Sequence, residues 1–317
     1  MVILDSLLSG AGQGLQWAIL ALGVYISFRL LDFPDLTCEG SFTCGGATAA
    51  ALIVAGVNPW LATIGAIFAG ALAGMVTGLL NTKLKIPGIL AGILTQIALY
   101  SVNLRIMGSP NLPLLRKTTV ITDTQSLIKA VCFWNDGMTN VKMYADLLLG
   151  IVVALGVVGL MYWYFGTQSG SAIRATGDNE KMCRAQGINT DNTKLLGLMI
   201  SNALIAFGGA LVAQSQSNAD AQMGIGSIVI GLASVIIGEA FFGKSRSFFV
   251  KLLGIVAGSV LYRIIITLVL SAQLMEASDL KLLTAVMVVI ALSLPLLKTK
   301  LFHKKKAVSG RSGQEGH

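Results

Sequence analysis

Charged side chains are scarce in this chain, and one group of mixed sign sits in its middle. Residues 172–188 read "AIRATGDNEKMCRAQGI", three cationic and two acidic side chains between long apolar runs. Their types and spacing suit docking in water. Asp178 can N-cap a short helix, Glu180 falls in its first turn, Arg184 in its last, and Gly187 stands at the C′ stop. Met182 and Ala185, three apart, would leave a small apolar strip with charge around it. So short a helix is unstable alone and must pack on something. Ionisable groups within apolar runs are functional candidates by default. Arg263 lies well inside one such run, with Glu239 and Asp146 near the ends of two others. Arg263 would either face a path or make a structural pairing. Gln96, Tyr100 and Asn103 recur near a helical turn apart, a polar face that lines a path or bonds neighbouring helices.

Catalytic signatures are missing. There is no HExxH, no GxSxG and no GxxxxGK[ST], and the only histidines are His303 and His317. Cys38, Cys44, Cys132 and Cys183 form no CxxC pair and have no histidine neighbours, so neither a metal site nor a disulfide framework follows. No catalytic residue, metal or cofactor is assigned. The net charge of +8 is concentrated between apolar runs and in the tail "LKTKLFHKKK". That is a positive-inside pattern near lipid, and it gives no reason to expect nucleic acid. The first apolar run reads as a retained span, with no basic region ahead of it.

What must position these groups is a bundle in lipid. The chain of 317 residues is 54% hydrophobic and 12% charged, with mean hydropathy +0.76. Several apolar runs reach the roughly 18–20 residues that cross a bilayer as a helix, and none alternates as barrel strands do. The fold class expected is an all-α integral membrane protein of about nine spans: 12–31, 43–57, 60–80, 88–106, 144–165, 194–213, 226–242, 248–270 and 281–297. They form a single domain over 1–298 that includes the loop 166–193, followed by a basic cytoplasmic tail at 299–317. Lysine and arginine density places that tail, 166–193 and Lys83/Lys85 inside, and 107–143 outside. The outer segment holds "TDTQSLIKAVCFW", which fits an amphipathic helix on the membrane with Phe133 and Trp134 as anchors.

Two segments look like copies. "EGSFTCGGAT" and "GIGSIVIGLAS" share GSxxxG, at Gly40–Gly45 and Gly226–Gly231, and "IFAGAL" parallels "IVAGSV" at nearly the same offset. Spans one to four would then match spans six to nine. A single connecting span inverts the second copy, an arrangement recurrent in transporters.

Residues 174–211 carry a family resemblance. "RATGDNEKMCRAQGINTDNTKLLGLMISNALIAFGGAL" resembles the coupling loop of ABC-importer permeases of the ribose and branched-chain amino acid class. The matching positions are Arg174, Gly177, Asp178, Asn179, Glu180, Ala185, Gly187, Ile188 and Asn189. "PDLTCEGS" is similar to the Asp-Leu-Ser-x-Gly-Ser segment of the sugar branch, with one extra residue before Gly-Ser. "AGALAGMVTGLLNTKLKIPGILAGIL" resembles the family's glycine-repeat span followed by Lys-x-x-Ile-Pro. The resemblance implies a permease subunit without its own nucleotide site or enzyme activity. It would pair with a second copy and with two cytoplasmic ATP-binding subunits, on which the loop docks. An extracytoplasmic binding protein would deliver the solute. By overall flavour the chain is similar to the tryptophan- or tyrosine-type branch in the bacterial cell membrane. A sugar or nucleoside importer is the nearest alternative. An ion-coupled secondary carrier, from another class, calls for buried acidic residues that the spans, so read, almost lack.

This topology is open to a direct check. A cysteine introduced within 112–130 should react with an impermeant maleimide on intact cells, and one within 177–186 only after the membrane is opened; the reverse pattern would overturn the sidedness.

Overall fold

The computed structural model describes residues 2–132, 141–242 and 247–271, with single positions at 282, 285, 286 and 289. Helix α1 (Val2–Tyr25) runs without a break into a π-helical turn, Ile26–Leu30. It is followed by α2 (Thr37–Val54), α3 (Pro59–Thr82) and α4 (Gly88–Met107). A short strand β1 (Asn111–Pro113), α5 (Val120–Cys132) and α6 (Val141–Phe165) come next. The polar segment supplies α7 (Gln168–Asp178) and α8 (Glu180–Ala185). Helix α9 (Thr190–Gln216), strand β2 (Asn218–Asp220), α10 (Ser227–Phe242) and α11 (Phe248–Ser271) complete the described elements.

Among the described residues, six helices are long and apolar enough to cross a membrane: Ser6–Leu30, Pro59–Thr82, Gly88–Met107, Val141–Phe165, Thr190–Gln216 and Phe248–Ser271. They match the first, third, fourth, fifth, sixth and eighth expected spans. Helix α2 starts at Thr37, six residues before the expected 43. The charge of Glu39 makes its first turn read as loop, yet that turn packs inside the bundle. Helix α10 has 16 residues and falls short of a full span. Apart from those four single positions, the ninth expected span lies outside the described residues, as do the tail 299–317, Phe133 and Trp134. A helix was expected over "TDTQSLIKAVCFW", and α5 covers that segment as far as Cys132. Its first residues, Val120 and Ile121, are buried with Leu149 of α6. At the same end β1 and β2 pair antiparallel, Asn111 opposite Asp220 and Pro113 opposite Asn218.

Two helices form the axis of the bundle. Helix α1 packs on α6, α9, α10 and α11, while α9 packs on α1, α2 and α3. The largest core cluster joins Leu22, Tyr25 and Ile26 of the first helix to Val158, Met161 and Phe165 of α6 and to Leu198 of α9. The periphery carries Phe68, Ile97 and Trp163, all more than 60% exposed, as a lipid-facing surface should. Lipid tails are as apolar as leucine, so burial alone does not hold helices together here; close packing does. The closest approaches use glycine. A Cβ on Gly45 of α2 would come 1.9 Å from the Ala206 carbonyl of α9, and one on Gly209 of α9 would come 2.0 Å from the Phe42 carbonyl. Gly70 and Gly74 bring α3 onto Asn202 and Leu198 of α9 in the same way. On the other side, a Cβ on Gly14 of α1 would meet Val260 of α11 at 2.7 Å, and Ser259 Oγ donates to the Gly14 carbonyl at 2.8 Å.

Gly45→Ala should therefore separate α2 from α9 and cost about 1–3 kcal/mol, as overpacking does. Gly156→Ala, where a Cβ meets nothing within 4 Å, should be neutral or slightly stabilising. Thermal unfolding of the two variants in detergent compares them, and equal melting temperatures would refute the close-contact account.

Candidate functional site

The polar segment folds as two consecutive helices. Thr167 caps α7, its Oγ1 accepting from the Gly170 amide at 3.4 Å. The polar start at 166–170 is thus a helix entrance, where the sequence suggested only a loop. Asp178 was expected to cap the short helix, but it is the last residue of α7. Asn179 takes the cap, with extended backbone (φ −157°, ψ 94°) and its Oδ1 accepting from the Met182 amide at 3.0 Å. Asparagine caps as well as aspartate, so composition did not decide between the neighbours. The exit is as expected. Gly187 is left-handed at φ +82°, Gly187 N–H donates to the Arg184 carbonyl at 3.1 Å, and Ile188 N–H donates to Cys183 at 3.0 Å. That pair of bonds is the Schellman closure.

Charge ties this helix to its neighbours. Glu180 Oε2 accepts from Lys194 Nζ at 2.7 Å, and its Oε1 pairs with Arg184 at 3.0 Å. Arg184 also reaches Asp191 at 3.0 Å and donates from Nε to Thr190 Oγ1 at 2.6 Å. Asp191 in turn meets Lys85, in the α3–α4 connection, at 3.5 Å. The hydrogen bond from Lys194, with the charges of Lys194 and Arg184, holds the Glu180 carboxyl below its usual range against a smaller opposing effect of burial. Glu180 and Arg184 are thus spent within the molecule. Lys181, Met182, Ala185, Gln186 and Gly187 are exposed, while Cys183 is fully buried beneath them. The expected Met182–Ala185 strip stands open.

Helix α7 carries that surface to the bundle axis. A Cβ on Gly177 would lie 2.0 Å from the Leu30 carbonyl, so α7 lies directly on the π-helical turn. Thr176 and Thr193 share a hydroxyl hydrogen bond of 2.9 Å between α7 and α9. The Arg174 guanidinium stacks on Phe248 of α11, 5.0 Å from the ring centroid. Arg29 of the π-turn pairs with Glu239 of α10.

Inside the bundle, the four residues proposed for a path have different partners. Gln96 Nε2 donates to Glu39 Oε2 at 2.9 Å, and the Gly226 amide at the start of α10 donates to Glu39 Oε1 at 2.8 Å. Asn103 is buried and donates to the Gly40 carbonyl at 3.2 Å, a helix-to-helix bond. Tyr100 is 46% exposed on the outside of α4. Arg263 stacks over Trp17 at 4.3 Å, and its Nε has no hydrogen-bond partner among the described residues. Only Gln96 joins a carboxylate. Asp35 is fully buried, accepting from Asn202 Nδ2 at 2.7 Å and the Thr37 amide at 2.9 Å. Asp35 and the half-buried Glu39 thus place two acidic groups within the helix packing that the sequence had not singled out. Both lie in "PDLTCEGS", and the signal was their position on either side of a helix start.

Comparison with known proteins fits this geometry. Residues 6–292 match the family model described as branched-chain amino acid transport system / permease component. The tyrosine transport system permease protein of Clostridioides difficile (strain R20291) is 37% identical over 287 residues, covering 90% of each chain. The ribose import permease protein RbsC of Escherichia coli (strain K12) is 27% identical over 222 residues, covering 66% of this chain and 61% of its own. A branched-chain amino acid transport permease, LivH of Methanocaldococcus jannaschii, described as probable, is 24% identical over 198 residues, 61% of either chain. With the match extending through both bundle axes and the α7–α8 segment, this chain belongs to the branched-chain amino acid permease family of ABC transporters, as a membrane transport subunit and not an enzyme.

Proposed function

We propose that the protein is the permease of an ATP-driven importer for amino acids, aromatic ones included, in the bacterial cytoplasmic membrane. The carrying observation is the 37% identity to a tyrosine permease over nine-tenths of both chains, against 27% over two-thirds of this chain for the ribose permease. Glu39 supports it: its bonds come from a side-chain amide and a backbone amide, both neutral. An ammonium-bearing solute gains from such a charge, and a sugar does not.

The subunit works as a homodimer with two ATP-binding subunits and an extracytoplasmic binding protein. Helix α8 presents Lys181, Met182 and Ala185 to the ATPase, while Glu180, Arg184 and Gly187 fix its pose. Asp178 and Asn179 hold the bend between the two helices. Arg174 and Gly177 pass the motion to α11 and to the π-turn of the first helix. The reading keeps nine spans with the tail in the cytoplasm, and the contacts support an inverted repeat. Exchanging α1 with α9, α2 with α10 and α3 with α11 converts the packing of α9 on α2 and α3 into that of α1 on α10 and α11. Gly45 of α2 abuts Ala206 of α9, and its counterpart Gly231 of α10 abuts Leu20 and Val24 of α1.

Cells lacking other uptake routes should take up labelled tyrosine through this system and not ribose, and ribose uptake would sink the amino-acid reading. Glu180→Gln should loosen a tether worth about 1 kcal/mol after solvent screening. A roughly fivefold loss of transport per ATP hydrolysed follows, with bundle melting unchanged. Gly187→Val, which forces a β-branched residue to positive φ, should uncouple more strongly. Unaltered coupling in both variants refutes the docking assignment.

Because the folded Glu180 carboxyl is held below its usual range, its tether is complete at neutral pH and is lost only as pH falls through that lowered value. Coupling should therefore not change through this group between pH 6 and 8, about two units above any ordinary glutamate. ATPase coupling measured across that range checks it.

A further inference from the structure

At the end of the bundle that carries the β-ribbon, the first helix, α6 and α9 line an open pocket of about 450 Å³. Its size falls within the range of small-molecule sites. Gln16 (2% exposed), Trp17 (7%) and Ser215 (9%) form its buried wall. Asp146 and Lys142, one helical turn apart on α6, line it as well. The two hydrogen bonds given to Asp146 come from Gln16 Nε2 at 3.3 Å and Ser215 Oγ at 3.2 Å, and both fall on Oδ1. Neither donor carries charge. Among the described residues Asp146 and Lys142 form no ion pair with each other or with anything else. The pocket thus holds a half-buried carboxylate and, one helical turn away and beyond ion-pair distance, an ammonium group of opposite sign. Trp17 stands beside them, fixed by Arg263 at 4.3 Å and by the Phe42 ring at 5.1 Å.

A half-buried carboxylate is costly unless a partner offsets it. The partner that would satisfy both charges at once is a zwitterion with ammonium and carboxylate on one carbon. We propose that this pocket is a recognition site for a free α-amino acid on the external side of the permease. Asp146 takes the ammonium, Lys142 the carboxylate, and the Trp17 wall the side chain. The site rests on the amino-acid reading above and adds to it a station within one subunit, apart from the Glu39 junction of α2, α4 and α10.

The test uses the whole transporter in nanodiscs with its ATP-binding subunits and no binding protein. Each of the twenty L-amino acids is screened by thermal shift, and the best is followed by equilibrium binding beside ribose, its decarboxylated amine and its N-acetyl derivative. The expected result is saturable binding of the amino acid with both derivatives weakened. Asp146→Asn should weaken it about tenfold, the usual loss for a charged hydrogen bond. Lys142→Ala, at an exposed position with no risk to folding, should erase the preference for the amino acid over its amine. No saturable binding to the wild type, or wild-type affinity and selectivity in both variants, overturns the site. If cells still import tyrosine in that case, the site alone fails. Saturable binding of ribose, unaffected by either variant, together with ribose uptake by cells, would overturn the amino-acid reading with it.

Discussion

Backbone-to-backbone contact between α9 and its neighbours is the constraint on which the rest depends. In lipid an apolar side chain gains little by exchanging acyl chains for another helix, so association falls to close packing and to hydrogen bonds. The glycines and alanines on α2, α3 and α9 meet both needs. They let carbonyls approach where a Cβ would collide, and they bring Asn202 within 2.7 Å of the Asp35 carboxylate. Were α9 held farther out, that buried carboxylate would lose its strongest donor. The first helix is fixed likewise, Ser201 Oγ of α9 donating to the Gly23 carbonyl at 2.8 Å.

The same rigidity gives the α7–α8 segment something to push on. Its contacts fall on the π-turn, on the start of α9 and on Phe248 at the start of α11, which are the inner ends of the helices at the axis. A π-turn in a long helix often marks a functional site, and here it permits the close approach of Gly177 and aims Arg29 at Glu239. A displacement of α8 therefore has a short path to α1, α9, α10 and α11. Helix α3 shares in it through α9, on which Gly70 and Gly74 seat it, and the exposed Lys85–Asp191 pair adds little.

Much of this was legible in sequence where the signal is local. Six span positions follow from apolar length, and the Gly187 stop from one residue type at one offset. The entrance to α8 was off by one residue because Asp178 and Asn179 cap equally well, and only the backbone chooses. The early start of α2 was hidden by Glu39, whose charge argues for water until its partners from α4 and α10 are known. The Arg29–Glu239 pair joins residues 210 positions apart, beyond any spacing rule. Asn103 and Tyr100 show the limit of helical periodicity. They share a face of α4 with Gln96 by spacing, yet one is buried against Gly40 and the other points outward.

How the bundle keeps Glu39 bears on what it transports. Placing a carboxylate within a bilayer costs about 2.5–3.5 kcal/mol on insertion scales, and each hydrogen bond to a charged group returns roughly 1.5–3 kcal/mol. Two neutral donors, Gln96 and the Gly226 amide, are therefore enough to hold it. A lysine partner would hold it too, but it would cancel the charge. Neutral donors leave the junction of α2, α4 and α10 negative, and the glycines allow that choice. Gly226 sits at φ +83°, a conformation that presents its N–H to Glu39, and Gly40 leaves room for Leu99 and Gln96 of α4 beside it. Glycine and carboxylate act there as one device, which holds the carboxylate inside the bundle with no ion-pair partner among the described residues.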